Sequence, residues 1–388
     1  MRPLRVGFVF DDSLDAADGV QQHILTLGGE LQRRGHEVHY LVGQTDHPPV
    51  GGVHALSRNV AVSFNGNRMR IPLLASDRGI RSVLARGRFD ILHVQAPYSP
   101  MLAGRVLDRA DPSCGVVATY HIAVDTPLQL LAGRALGLLD RRSHERIDRV
   151  IAVSPVAARY AALTAGARGV VIPNPVDVAR LRERRDRVGV DVVERYRDGG
   201  PHVVFLGRFV QRKGARILLD ALAWGERTGS LPAGLHVTMA GKGPLLQECM
   251  RRAAGLSTPV DFPGFVSEDD KTALLASADL AVFPSTGGES FGIVLLEAIA
   301  CGAGATLAGD NPGYRSTLLN DEAALFPVSG RTVAQALAER MVRALSDPVW
   351  ARSLAGRERD LLGRYDVRGV AGRVETVYAQ ALAARGRS

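Results

Sequence analysis

Short apolar runs alternate with stretches in which apolar residues recur at helical spacing, and this rhythm is played twice along the 388 residues. Leu4 to Phe10 is a β-rich apolar run, Gly19 to Leu31 carries apolar residues three and four apart, and Gly35 to Val42 is apolar again. That predicts a strand, a helix and a second strand in one βαβ unit. Further strands are predicted at Phe89 to Val94, Gly115 to Tyr120, Val150 to Val153 and Val170 to Ile172, with helical patterns between them. Charged positions dominate from Arg180 to Arg197, and Asp198-Gly-Gly-Pro201 is a breaker cluster. The rhythm restarts with strands at His202 to Leu206, Leu235 to Ala240, Val260 to Phe262 and Leu280 to Phe283. Helices are predicted from Lys213, after Gly243-Pro244, after Thr332 and from Val367 to the end. The fold class expected is α/β, with two Rossmann-like, doubly wound parallel-sheet domains. The first is placed at 1–178, a linker region at 179–200, the second at 201–364, and a C-terminal helix at 365–388 that can cross back to the first. Two such domains in tandem predict an interdomain cleft faced by strand carboxyl ends and helix N-termini.

Composition narrows the partners. No apolar run approaches the roughly 20 residues of a membrane span, and Met1 leads directly into a strand, so no transmembrane segment or signal peptide is expected and the protein is placed in the cytoplasm. Cys114, Cys249 and Cys301 are odd in number and far apart, which suits neither a disulfide framework nor a zinc site. A net charge of +8 suits an anionic partner. Nucleic acid is disfavoured, because aromatics are only 5% and no basic run has aromatic residues interleaved to stack bases. The phosphorylated small molecule and the anionic bilayer surface remain. Lys213, Lys242 and Lys271 are the only lysines in an arginine-biased chain, and each offers a compact point charge that arginine does not reproduce.

The chemistry concentrates in Phe283 to Gly302, which runs from an apolar strand end through Gly287-Gly288 into a predicted helix. Glu289 is expected in its first turn and Glu297 eight residues on, about 80° apart in projection and about 12 Å apart along the axis. That is too far for an acid/base couple and suits two ends of one extended ligand. Backbone N–H groups freed by Gly287, Gly288 and Gly292 at the positive end of the helix favour an anion. The plain alternative makes Glu289 a helix-start carboxylate and Glu297 a solvated face residue. Leu206 to Gly214 follows a strand and opens a helix, so Arg208 and Lys213 can bracket a diphosphate, or stand as an ordinary exposed pair. Neither G-x-G-x-x-G after the first strand nor G-x-x-x-x-G-K-[ST] is present, which removes the main support for a nicotinamide dehydrogenase or a P-loop ATPase.

Leu206-Gly-Arg208 with Arg212-Lys-Gly214, Gly241-Lys-Gly-Pro244, and Glu289-Ser-Phe-Gly-Ile-Val-Leu-Leu-Glu297 resemble the donor domain of family-4 retaining glycosyltransferases of the GT-B fold. In the first half, Phe89 to Pro100, Ala118-Thr-Tyr-His121 and Pro173-Asn-Pro-Val-Asp177, together with Arg364-Tyr-Asp366, look like the actinobacterial phosphatidylinositol mannosyltransferases, which use GDP-mannose. The resemblance implies a metal-independent hexosyltransferase with no cofactor beyond its nucleotide-sugar donor. It gives Arg208 and Lys213 to the diphosphate, Glu297 to the ribose hydroxyls and Glu289 to the transferred sugar. It gives the backbone of Ser290, Phe291 and Gly292 to sugar or phosphate, Lys242 to the base region, Gly19 to the diphosphate and His121 to the reacting sugar. For His121 the alternative is a satisfied core histidine. Asp18-Gly19-Val20 departs from the paired glycine of the family, Gln95-Ala96 stands where a His-Glu pair is common, and Cys301 to Gly304 lacks the usual proline.

On the acceptor side, Asn65-Gly66 resembles the inositol loop, with Arg68 and Arg70 beside it. Arg78, Arg81 and Arg88, with Ile80, Val83 and Leu84 between them, are expected either to lay a basic amphipathic face on the inner leaflet of the plasma membrane or to form a plain solvated helix. The function expected is mannosyl transfer to a phosphatidylinositol-type acceptor. The alternatives are transfer from a UDP- or GDP-sugar to a soluble acceptor, a sugar-nucleotide epimerase, and a catalytically idle nucleotide-sugar binding protein.

Overall fold

The computed structural model describes residues 2–15, 18–64, 67–97, 101–123, 127–189, 193, 194, 196 and 199–386, with backbone alone at 61–64 and 67–74. The chain packs as two units, Met1–Pro175 with Tyr365–Ser388, and Val176–Arg364.

The first unit is built on β1 (Arg5–Phe10), α1 (Gly19–Arg33), β2 (Glu37–Val42), β3 (Val53–Ala55), β4 (Ser57–Phe64), β5 (Asn67–Ala75), α2 (Asp77–Gly87), β6 (Ile91–Gln95), α3 (Leu102–Leu107), β7 (Gly115–Tyr120), α4 (Pro127–Leu139), α5 (Arg141–His144), β8 (Arg149–Ala152), α6 (Pro155–Ala165) and β9 (Val170–Val171). Its sheet runs in the order β3-β2-β1-β6-β7-β8-β9 with every pair parallel. β6 and β7 are buried at every position, the condition under which a strand reads as a continuous apolar run. On one face, Ile24, Leu27 and Leu31 of α1 pack with Phe8, Tyr40 and Val117. On the other, Ile80 and Val83 of α2 and Leu102 and Val106 of α3 pack with Leu92 and Val94.

The second unit starts at α7 (Val178–Arg187) and continues through β10 (His202–Leu206), α8 (Ala215–Thr228), β11 (His236–Ala240), α9 (Leu246–Ala253), β12 (Val260–Gly264), α10 (Glu268–Ser277), β13 (Leu280–Phe283), α11 (Ile293–Cys301), β14 (Thr306–Gly309), α12 (Pro312–Thr317), β15 (Leu325–Phe326), α13 (Val333–Ser346) and α14 (Pro348–Tyr365). Its sheet order is β12-β11-β10-β13-β14-β15, again parallel. α15 (Val367–Ala384) returns to the first unit, where Val370, Val374, Tyr378 and Ala381 join the core under α1.

The double-wound α/β architecture expected from the apolar rhythm is the one observed. Two details differ. The break lies at Pro175, before the charged segment, because α7 packs on the second unit: Arg184 pairs with Glu268 at 3.0 Å and with Asp269 at 3.3 Å. β4 and β5 pair antiparallel, in register from Ser57 opposite Ala75 to Phe64 opposite Asn67. In each sheet the order reverses beside the first strand, between β1 and β6 and between β10 and β13, and loops leaving carboxyl ends diverge there to leave a crevice.

Candidate active site

In the second unit, the loop after β10 carries Arg208, Arg212 and Lys213, and the loop after β13 carries Ser285 and Glu289. Backbone hydrogen bonds lay one on the other. Thr286 N–H donates to the Arg212 carbonyl at 2.8 Å, and Ser285 Oγ lies 2.9 Å from the same oxygen. Gly214, at φ 70°, makes this approach possible, since a Cβ there would fall 1.9 Å from the Pro284 carbonyl oxygen. The outcome is a clamp on one carboxylate oxygen. Glu289 Oε1 receives Arg212 Nη1 at 2.6 Å, Lys213 Nζ at 2.8 Å and Ser285 Oγ at 2.9 Å. Burial alone would raise this carboxyl, but Lys213 and Arg212 outweigh it and hold Glu289 below the ordinary range, as an anion.

Glu289 is not in the first turn of the helix, where its sequence position places it, but on the loop before it. α11 begins at Ile293, and Gly292 before it has φ −129° and ψ 66°, outside the helical region. Gly292 is thus the cap of α11, and its N–H, which has no acceptor within the helix, donates to Thr317 Oγ1 at 3.1 Å. That amide is therefore committed to the protein and does not join the donors expected for sugar or phosphate. Phe291 is buried and Ser290 half-buried beside it.

Glu297 lies on α11 and is buried rather than solvated. Lys271 Nζ donates to Glu297 Oε1 at 3.0 Å and reaches Glu268 Oε1 at 3.0 Å. Burial pulls the Lys271 ammonium down, and Glu297 and Glu268 more than reverse this, so its pKa is raised and it stays charged. Lys271 thus acts as the anchor of Glu297. The half-site is polar along its length, with Arg212 and Lys213 in excess over Glu289 at one end and two carboxylates around one ammonium at the other. Lys242 is exposed on the neighbouring loop, its Nζ 5.3 Å from the centre of the exposed Phe265 ring. Arg208 is half-buried on the loop it was assigned to.

In the first unit, His121 follows β7 and is buried. Its Nε2 bonds Gln95 Oε1 at 2.8 Å, which keeps the ring proton on Nε2 and leaves the lone pair on Nδ1. His23 of α1 stands edge-on to His121 at 4.7 Å between ring centres, and its Nδ1 bonds Asn174 Oδ1 at 2.8 Å. Burial pushes His23 down to about 4 and His121 well below the usual histidine value, with His23 and His93 adding to the latter. Both rings are neutral at pH 7. Gln95 and Asn174, present in motifs but given no role by the sequence reading, are thus the groups that orient the pair. Gly19 is exposed at the first position of α1, and the Asp18 before it is extended and makes no side-chain cap.

The acceptor-side expectations fare differently. Asn65 lies outside the described residues, as do the side chains of Arg68 and Arg70. Arg78 and Arg81 are exposed on α2, and Arg81 pairs with Asp77 at 2.9 Å. The apolar residues between them do not form a membrane face, because Ile80 and Val83 are spent on the core of the first unit and Leu84 packs against it.

Residues 17–180 match the model of Glycosyltransferase Family 4, and residues 200–347 match that of Glycosyl transferases group 1. The chain is 33% identical over 379 residues to the phosphatidyl-myo-inositol mannosyltransferase of Mycolicibacterium smegmatis, covering 97% of this chain and 93% of that one. It is 34% identical over 381 residues to the protein of the same name from Mycobacterium tuberculosis, covering 97% and 96%. A GDP-mannose-dependent alpha-(1-6)-phosphatidylinositol dimannoside mannosyltransferase of Mycobacterium tuberculosis is 31% identical over 75% of each chain. Among solved structures, a glycosyltransferase from Rickettsia africae superposes with a TM-score of 0.73 at 14% identity, covering 98% of this chain and 99% of that one. Sucrose-phosphate synthase from Thermosynechococcus elongatus superposes at 0.70 with 21% identity and the same coverage. These two likenesses establish the fold.

Proposed function

This chain belongs to glycosyltransferase family 4, and on that footing we propose that it transfers mannose from GDP-mannose to a phosphatidylinositol-type acceptor with retention at the anomeric carbon. The observation that carries the donor half is the Glu289 carboxylate clamped by Arg212 and Lys213, with Glu297 held by Lys271 on the following helix. A nucleotide sugar matches that polarity: diphosphate against the basic end, hydroxyl groups of sugar and ribose against the two fixed carboxylates. The acceptor and the mannosyl group are supported by relatives that align over 97% of the chain.

In this reading Arg208 and Lys213 neutralise the diphosphate as the bond from anomeric carbon to phosphate oxygen breaks, supplying the charge stabilisation that lets nucleoside diphosphate depart without a resident metal. The acceptor oxygen bonds the anomeric carbon from the same face, and its proton passes to the departing phosphate oxygen. Glu289, already ionised, accepts from sugar hydroxyls, and neutral His121 accepts at Nδ1 from a hydroxyl of the reacting sugar. Glu297 accepts from ribose, and Lys242 serves the base region. Gly19 lets backbone approach the diphosphate, and Ser290 and Phe291 line the sugar. The protein works in the cytoplasm at the inner membrane surface.

The test is transfer of label from GDP-[14C]mannose to vesicles containing phosphatidylinositol. Label extracted into organic solvent as an α-mannoside is the expected result. Label released as free mannose, or carried only by a water-soluble acceptor, defeats the lipid assignment. Transfer from UDP-glucose but not from GDP-mannose defeats the donor assignment.

A further inference from the structure

The strongest unexplained feature of the surface is α4. It reads Pro127-Leu-Gln-Leu-Leu-Ala-Gly-Arg-Ala-Leu-Gly-Leu-Leu139, with Arg134 its one charge. At about 100° per residue, Leu128, Leu131, Ala132, Ala135, Leu138 and Leu139 fall within an arc of about 120°. An amphipathic helix of a water-soluble protein turns such a stripe inward. Here it faces out: the four leucines of the stripe are 64–75% exposed. The buried positions are Gly133 and Gly137, and they are glycine for a steric reason. A Cβ on Gly133 would fall 2.2 Å from Tyr160 Oη, and one on Gly137 would fall 2.2 Å from the Thr164 carbonyl oxygen. α4 therefore lies close on α6 through its small residues and presents its leucines away from the protein, where Leu163 of α6 extends the patch.

Exposed charges beside this stripe are mostly basic: Asp140 after α4 is buried, and the exposed Glu145 pairs with Arg141 at 3.9 Å. α4, α6 and the turn after α6 carry Arg134, Arg159 and Arg168 and no acidic residue, and the exposed Arg141 and Arg142 follow Asp140. An apolar stripe flanked by arginines matches the two layers of an anionic bilayer surface, acyl chains for the leucines and phosphates for the guanidinium groups. Thirteen residues are too few to span a bilayer, and among the described residues no helix is long and apolar enough to do so. α2 offers the opposite arrangement, exposed arginines over an apolar side used up in the core.

We propose that α4 is the membrane-docking element of this protein, lying in the plane of an anionic bilayer with its leucine stripe among the acyl chains. The assignment extends the lipid-acceptor reading but is tested apart from it, on phosphatidylglycerol vesicles free of phosphatidylinositol and of GDP-mannose. Sedimentation of the full chain with these vesicles is expected to exceed that with phosphatidylcholine vesicles. The double variant Leu131→Gln/Leu138→Gln, at positions that touch no core, is expected to lower the partition coefficient roughly tenfold or more. In a separate variant, Leu138→Trp, indole emission should shift to shorter wavelength when anionic vesicles are added. The proposal is overturned by a double variant that binds like the parent, by equal binding to both vesicle types, or by an unshifted indole. It is also overturned if the parent is a dimer that the double variant dissociates, which would make the stripe a self-association face. Loss of mannosyl transfer with vesicle binding intact would instead strike the acceptor assignment and leave α4 standing.

Discussion

Glu289 illustrates how one carboxylate can be both buried and ionised: two cations and a hydroxyl converge on Oε1, and their attraction exceeds the cost of burial. Glu289→Gln keeps the shape and removes the charge, so turnover should fall by about 10²–10³ with a much smaller change in donor KM. Steady-state kinetics within about twofold of the parent would refute its role. Lys271 should behave otherwise. Lys271→Met leaves Glu297 buried without its main counter-charge and should cost about 2–4 kcal/mol in urea unfolding. Adding Glu297→Gln to that variant should restore most of the stability without restoring donor affinity, and additive losses would show that the pair is not coupled. A third residue shapes pH dependence. Asp140 is buried and, among the described residues, neither of its carboxylate oxygens has a hydrogen-bond partner. Burial, then Asp11 and Asp108, push it up to about 7, and burial, then Asp140, raise Tyr120. The folded chain therefore holds a proton that the unfolded chain releases near pH 4, so this contribution to stability falls as pH rises from about 4 to about 7. Asp140→Asn should gain on the parent by a few kcal/mol at pH 8 and by little at pH 4, measured by chemical denaturation. A pH-independent difference would refute the shifted carboxyl.

Among elements, the join between the β10 loop and the β13 exit decides whether the clamp exists. Gly214 and Gly229 share left-handed backbone, at φ 70° and 64°, but a Cβ on Gly229 meets nothing within 4 Å. Both alanine substitutions should carry the strain of about 1 kcal/mol. Gly214→Ala should in addition drive the Arg212–Lys213 turn off Pro284 and reduce turnover by more than about 10²-fold, while Gly229→Ala keeps it. Equal activity in the two variants would show that the close approach is dispensable. α11 and α4 teach a related lesson about period. Helical spacing places Glu297 on a helix and the α4 leucines on one stripe. It does not say that α11 starts only at Ile293, leaving Glu289 on the loop before it, or that α6 takes the glycine side of α4 and turns the leucines outward.

For the whole molecule, the return of α15 ties the last residues to the first unit. Tyr378 Oη bonds His93 Nδ1 at 2.8 Å, and Glu375 pairs with His36 at 2.9 Å and Arg34 at 2.8 Å. A chain ending at Arg364 should lose hydrogen-exchange protection in β1, β6 and β7 while β10, β11 and β13 stay protected, and uniform protection would show the helix to be dispensable. The sequence by itself determined the two parallel sheets and their helices, because strands buried on both faces must be apolar throughout and the helices between them must repeat every three to four residues. It also marked Arg208, Lys213, Glu289 and His121 as charged or titratable residues just after strands, where loops open a crevice, and Glu297 eight residues beyond Glu289 on the helix that follows. The β4–β5 hairpin escaped it although Val60, Val62 and Phe64, and Met69 and Ile71, alternate with polar or small residues, because Pro72 argues against a strand in the second run. Only tertiary structure decided the partners: Lys271 for Glu297 across 26 residues, Glu289 for Arg212 across 77 and Asn174 for His23 across 151. Local pattern records which face a side chain occupies on its own element, whereas which group it meets, and so its charge state, depends on elements brought together by the fold.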